Sequence, residues 1–177
     1  HKTGAAFSGG HIIHGCANAM YLPKVIKYNS KDPVAAARYA KIAKFINLKG
    51  ETTEELVDAL IAELRSMNDQ LNIPQGIKNY GPGGVKADES IIDEKEFLEK
   101  LPEVAKNAIA DACTGSNPRQ PNQEEMEKLL KACYYDTEID FWFVWQIYLY
   151  LSQLSVFGEL FSTSKWLTNE RVLIKFA

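Results

Sequence analysis

Thr52-Thr53-Glu54-Glu55-Leu56-Val57-Asp58-Ala59-Leu60-Ile61-Ala62-Glu63-Leu64 opens with a hydroxyl residue three places before a glutamate. It then runs on with apolar side chains at helical spacing. A threonine here bonds the backbone N–H of the glutamate, and the glutamate reaches back to the threonine's own N–H, which makes a capping box. The face that follows, Leu56, Leu60, Leu64, Met67 and Leu71 with Val57 and Ile61 beside it, repeats with the period of an α-helix. Asn72-Ile73-Pro74 ends it.

Both flanks read the same way. Asp32-Pro33 is a second start, an N-cap acid with proline at the first helical position. Val34, Ala37, Ala40, Ile42 and Phe45 then carry a helical stripe to about Asn47. Before it, apolar residues from Ala17 to Tyr28 cover most of a helical circumference, so this helix is expected to be buried, with a kink or a restart at Pro23. After Pro74, the glycines and proline of 75–90 (Gly76, Gly81, Pro82, Gly83, Gly84) make a loop. Asp93-Glu94 starts a helix carrying Phe97, Leu98, Leu101, Val104, Ala105, Ala108 and Ile109, broken or shifted at Pro102. Thr114 to Pro121 is a second loop, and a last short helix runs from about Gln123 to Tyr134. Strand signals are nearly absent, so the expected class is all-α.

The chain has 177 residues and a net charge of −3, enough for one core but without a basic field for nucleic acid. Cys16, Cys113 and Cys133 are widely spaced and contain no CxxC, which favours reduced thiols in a cytoplasmic setting. Nothing after His1 reads as a secretory signal. Composition changes abruptly near residue 140: Trp142, Trp145 and Trp166 all follow it, and the 18 residues Phe141 to Gly158 carry no charge. Residues 1–140 therefore read as one helical domain and 141–177 as an aromatic-rich tail. That tail reads first as sequence from another context, and otherwise as a docking or membrane helix, for which its length and polar content are marginal.

All three histidines lie within His1 to His14, around Gly9-Gly10 and just before the first buried helix. Neutral imidazole is the commonest protein ligand for divalent transition metals. The glycine pair argues that His11 and His14 lie on a loop, so their spacing by itself is weak support for a joint site. A catalytic metal needs about three protein ligands and an open position, and no carboxylate lies close by in sequence. The histidines could equally serve as hydrogen-bonding loop residues.

His1-Lys2-Thr3-Gly4-Ala5-Ala6-Phe7, then His14-Gly15-Cys16-Ala17-Asn18-Ala19, Leu22-Pro23 and Val25-Ile26-Lys27-Tyr28-Asn29 resemble the metal-binding signature of the iron-containing (group III) alcohol dehydrogenases. Asp111-Ala112-Cys113-Thr114-Gly115-Ser116-Asn117-Pro118-Arg119 resembles a loop near that family's C-terminus, and Glu125-Met126 with Cys133-Tyr134-Tyr135 its terminal helix. The likeness covers about residues 1–140. It implies the helical C-terminal domain of the iron-containing alcohol dehydrogenase fold, the α domain of a dehydroquinate synthase-like architecture.

By that resemblance His14 corresponds to the last metal ligand, His1 to a cleft histidine that helps move protons, and Cys113 to a residue beside the substrate pocket. The family's other ligands, an Asp-x-x-x-His pair and a histidine four places before the position of His1, are expected upstream, as is the dinucleotide-binding domain. One departure is visible: Ser8-Gly9-Gly10 looks inserted, and Ile13 stands where relatives often have proline. The implied activity is reversible, NAD(P)-dependent interconversion of primary alcohols and aldehydes by metal-assisted hydride transfer. Fe2+, alternatively Zn2+, is the implied metal. The implied partners are a small alcohol or aldehyde and further copies of the same chain, with neither nucleic acid nor membrane. The 177 residues alone are expected to be catalytically silent. The competing readings are a non-enzymatic helical binding module with the aromatic tail as its docking element, and an isolated metal site built from His1, His11 and His14.

Overall fold

The computed structural model describes residues 2–138, so His1 and the aromatic tail of 141–177 lie outside the described residues. Five α-helices follow in order: α1 (His14–Asn29), α2 (Pro33–Phe45), α3 (Thr53–Gln70), α4 (Glu94–Ile109) and α5 (Gln123–Tyr135). Short 3₁₀ turns at Ile77–Asn79, Pro82–Gly84 and Thr114–Ser116 punctuate the loops. The described residues contain no strand, only an isolated bridge between Tyr80 and Lys86. The all-α expectation stands.

Local chemistry sets most helix starts. Asp32 accepts the Ala35 N–H at 2.8 Å and Asp93 the Glu96 N–H at 2.8 Å. Thr52 and Glu55 close their capping box, and Asn122 with Glu125 closes another at the head of α5. Two stops are equally local: Asn47 and Asn72 take left-handed conformations at φ 63° and 55°, which asparagine tolerates better than most residues. α1 differs. It begins three residues before the expected Ala17, and its N-cap, Ile13, offers no side-chain bond.

α2 and α1 pack on α3, while α5 packs on both α1 and α4. The contact of α1 and α2 with α3 buries Ile26, Ala40, Ala43, Leu56, Val57 and Leu60. The stripe expected on α2 is largely turned outward. Ala35, Ala36, Ala40 and Ala43 face the core, whereas Val34 is 65% and Phe45 85% exposed, and Ala37 and Ile42 are exposed too. Small side chains let α2 approach α3 closely, and that fit outweighs the larger apolar residues on the opposite face. At the far end of α3, Met67 and Leu71 are exposed as well, and Asn68 is the buried residue there.

Neither internal proline ends its helix: α1 runs through Pro23 and α4 through Pro102. A second apolar cluster joins the two ends of the described residues. Phe97 stacks on Tyr134 with centroids 4.3 Å apart and meets Phe7 at 5.8 Å. Phe7 thereby ties the segment before α1 to α4 and α5.

Candidate functional site

The segment from Lys2 to Ile13 has no regular helix, yet it is held along its length. Lys100 of α4 donates to the Ala6 carbonyl at 2.6 Å. Glu96 accepts both the Ser8 N–H (2.8 Å) and the Ser8 hydroxyl (2.9 Å). The Lys100 ammonium, and after it the Ser8 N–H, hold the Glu96 carboxyl down at about 2. Gly9 lies beneath the backbone of Ile91, where a Cβ would sit 2.2 Å from the Ile91 carbonyl oxygen. The apparent insertion Ser8-Gly9-Gly10 is therefore a fitted turn: only a residue without a side chain allows this approach.

That path delivers His14 to the first position of α1, where it is exposed. One turn on, the Asn18 amide nitrogen lies 3.1 Å from His14 Nε2 and restrains the ring's rotation. Which of the two groups donates depends on the imidazole tautomer, and a metal would use the ring nitrogen that Asn18 does not face. His11 is exposed on the loop, and Cys16 is partly buried against the Pro82–Gly84 turn. Among the described residues no group of three or more His, Cys, Asp or Glu could hold a metal ion. His11, His14 and Cys16 therefore make no site by themselves, and His1 lies outside the described residues. His14 fits as one donor of a larger set.

A cavity of about 530 Å³ runs beside α1. Asn18, Leu22 and Val25 line it from α1, Leu129 and Cys133 from α5, and Cys113 from the loop after α4. Its wall is mostly apolar, and Cys113, expected beside a pocket, is exposed on its rim. Asn18 belongs to both features, touching His14 and lining the cavity. Cys133 is the buried thiol of the same wall; burial pushes it up to about 12, so it stays protonated near neutrality.

The Cys113 loop is fixed to the far end of α1. Asn117 and Asn29 exchange amide hydrogen bonds at 2.9 and 2.8 Å. The Arg119 guanidinium sits 4.0 Å over the Tyr28 ring and donates to Glu125 at 2.5 Å, while the Tyr28 hydroxyl donates to the other oxygen of Glu125 at 3.1 Å. At the loop's start, Asp111 accepts the Cys113 N–H at 3.0 Å and pairs with Lys2 at 3.3 Å. The two quoted motifs, far apart in sequence, thus meet along one helix. The sequence reading gave no role to Asn18, Glu96 or Tyr80. Asn18 stood in the quoted motif and was the detectable one, whereas Ser8, which Glu96 clamps, and the partners of the Tyr80 hydroxyl lie far away in sequence.

The profile described as "Fe-containing alcohol dehydrogenase family, C-terminal" matches residues 1–134. The chain is 52% identical over 141 residues to an "NADPH-dependent butanol dehydrogenase" of Clostridium saccharobutylicum, covering 80% of this chain and 32% of that protein. It is 33% identical over 150 residues to the "Bifunctional aldehyde-alcohol dehydrogenase AdhE" of Escherichia coli K12, covering 76% of this chain and 15% of that protein. An "Alcohol dehydrogenase" of Thermococcus barophilus is 33% identical over 123 residues, covering 70% and 28%. The chain thus spans at most about a third of the length of these relatives.

Proposed function

Because this chain belongs to the Fe-containing alcohol dehydrogenase family, we propose that the whole protein interconverts primary alcohols and aldehydes with a nicotinamide cofactor, and that the head of α1 is part of its active site. The observation that carries the assignment is the arrangement at that head. His14 is exposed there, and Asn18 links it to an apolar-walled cavity that reaches Cys113. A four-carbon alcohol, named in the description of one relative, is well within such a cavity.

In this reading His14 donates one imidazole nitrogen to a divalent metal, Fe2+ or alternatively Zn2+, and the remaining ligands come from elsewhere in the whole protein. When bound, the metal supplies Lewis acidity toward the substrate oxygen. Asn18 holds the imidazole in one orientation, so the ligand is preorganised. The apolar wall of Leu22, Val25 and Leu129 excludes water from the carbon chain of the substrate, and Cys113 borders it. His1 is proposed to carry the proton exchanged with the alcohol, imidazole being the side chain most used to move protons near neutrality. NAD(P) is proposed to be held mainly outside these residues. The whole protein is proposed to be a homo-oligomer in the cytoplasm, acting on neither nucleic acid nor membrane. No helix of the described residues is long and apolar enough to cross a membrane.

The test is metal content and NAD(P)-linked butanol oxidation in the full-length protein. His14→Ala is expected to lower bound Fe2+ and to reduce turnover by at least about 100-fold, the order of a lost catalytic interaction. Retention of both would overturn the assignment. The 177-residue chain alone is expected to show no turnover. Turnover that disappears on His14→Ala would contradict that.

A further inference from the structure

We infer that Tyr80 is a positioning residue for His14: its hydroxyl plays the part that an N3 carboxylate plays in a capping box, and fixes the point at which α1 begins. The inference rests on the metal-ligand role proposed for His14. In a capping box the N-cap residue's own N–H is accepted by a carboxylate at N3. At the head of α1 the N-cap is Ile13 and the N3 residue is Cys16, and neither supplies that bond. The Ile13 N–H instead donates to the Tyr80 hydroxyl at 2.8 Å. That hydroxyl in turn donates to the His11 carbonyl at 3.4 Å. One side-chain oxygen thus holds the two backbone groups flanking Ile12, which is fully buried.

Tyr80 is suited to act as a fixed post. It is 1% exposed. Its N–H donates to the Ile77 carbonyl and its own carbonyl accepts the Ile91 N–H, both at 2.9 Å. The same Ile91 covers Gly9, so one stretch of the loop before α4 holds the approach to His14 at two places. Gly84 keeps the space beside the hydroxyl open: it has φ +83°, and a Cβ there would lie 2.7 Å from Cys16 Sγ and 3.5 Å from the Tyr80 hydroxyl oxygen. His14 follows Ile13 directly, so slack in the Ile13 backbone becomes displacement of the imidazole.

The geometry also identifies the substitution that should make the hydroxyl unnecessary. Ile13 has φ −57°, which proline adopts, and proline has no N–H to satisfy.

The experiment measures the Zn2+ dissociation constant of the full-length protein by chelator competition, alongside the thermal midpoint of the metal-free form. Tyr80→Phe keeps the ring and is expected to weaken Zn2+ about 10- to 100-fold, as for other groups that orient a ligand. Ile13→Pro alone is expected to bind within about threefold of the parent, and Ile13→Pro with Tyr80→Phe to recover most of the lost affinity. Unchanged affinity in Tyr80→Phe overturns the inference. So does a loss that Ile13→Pro does not rescue, including loss of fold, because the hydroxyl would then be needed for something other than the Ile13 N–H. His14→Ala separates the two levels: if it leaves Zn2+ affinity intact, the ligand assignment has failed and the positioning role falls with it. If it abolishes binding while Tyr80→Phe does not weaken it, only the positioning role has failed.

Discussion

The Asn68 amide donates to the Ala19 carbonyl at 2.9 Å, and Ala19 lies one helical turn before Pro23. Proline has no N–H, so it leaves the carbonyl four residues before it without a helical partner. Asn68, 5% exposed on α3, supplies that partner and lets α1 continue through the proline. Asn68→Ala is expected to destabilise the chain by about 1–3 kcal/mol, the cost of an unpaired buried acceptor. Pro23→Ala in the same background should return at least half of that loss by restoring the N–H. Urea denaturation of the four proteins checks it, and strict additivity would show that the two sites are independent.

Arg119 couples the loop carrying Cys113 to the end of α1 through a stacked guanidinium and a carboxylate pair. Lysine cannot reproduce the planar fork or the stacking. Arg119→Lys is expected to cost about 1–2 kcal/mol, on the scale of a partly desolvated cation–π contact plus a charge-assisted bond. Denaturant midpoints measure this, and a loss below about 0.5 kcal/mol would mark the contact as merely superficial.

Alkaline conditions should unfold the chain through groups that stay protonated only while buried. Burial pushes Cys133 from 9.0 up to about 12. It is also the main force raising Tyr28 and Tyr134 from 10.0 to about 12, and it raises Tyr21 further. The unfolded chain releases these protons first. Stability is therefore intact below about pH 9 and falls from there as pH rises toward 12. Cys133→Ala should move the onset of the decline from about 9 toward 10, where the tyrosines begin to titrate in the unfolded chain. Urea midpoints across that range would reveal an unmoved onset.

Glu96 is one of the carboxylates that set the acid side, with Asp111, Glu124 and Asp136. Its carboxyl is held at about 2 in place of the ordinary 4.5, so the Ser8 clamp is complete above the ordinary value and is lost as pH falls toward 2. Glu96→Gln should flatten the acid dependence and speed hydrogen exchange at the Ser8 amide. An unchanged exchange rate would mean that the turn holds without the carboxylate.

Phe45 is 85% exposed and Val34 65%. Serine at either position is expected to change stability of the chain by no more than about 0.5 kcal/mol, as for other surface sites. A cost of about 2 kcal/mol would restore the stripe read from the sequence.

These residues show how far the sequence could be read. Helix starts were readable at Asp32, Thr52 and Asp93 because a cap needs only three or four consecutive residues. The choice of face was not. Apolar residues lie all round α2, and only its neighbour α3 determines that alanines face inward. The continuation of α1 through Pro23 was hidden for a related reason: Asn68, distant in sequence, answers for the orphaned carbonyl. His14 and Cys113 were singled out through motifs. Tyr80 carries no local mark, since both backbone partners of its hydroxyl lie some 70 residues away.

The position of His14 has an electrical consequence. The aligned peptide dipoles of a helix place roughly half a positive charge at its N-terminus. His14 is the first residue of α1, and no acidic side chain in that first turn offsets the field. Any cation held on this imidazole sits at the repulsive end of α1, so His14 alone makes a poor cation site. The balancing negative charge has to arrive on another part of the protein. The same field favours negative charge on any group brought close to the head of α1. On the ligand role proposed for His14, the Tyr80 hydroxyl that holds the Ile13 N–H would set both where that imidazole stands and the potential in which it works.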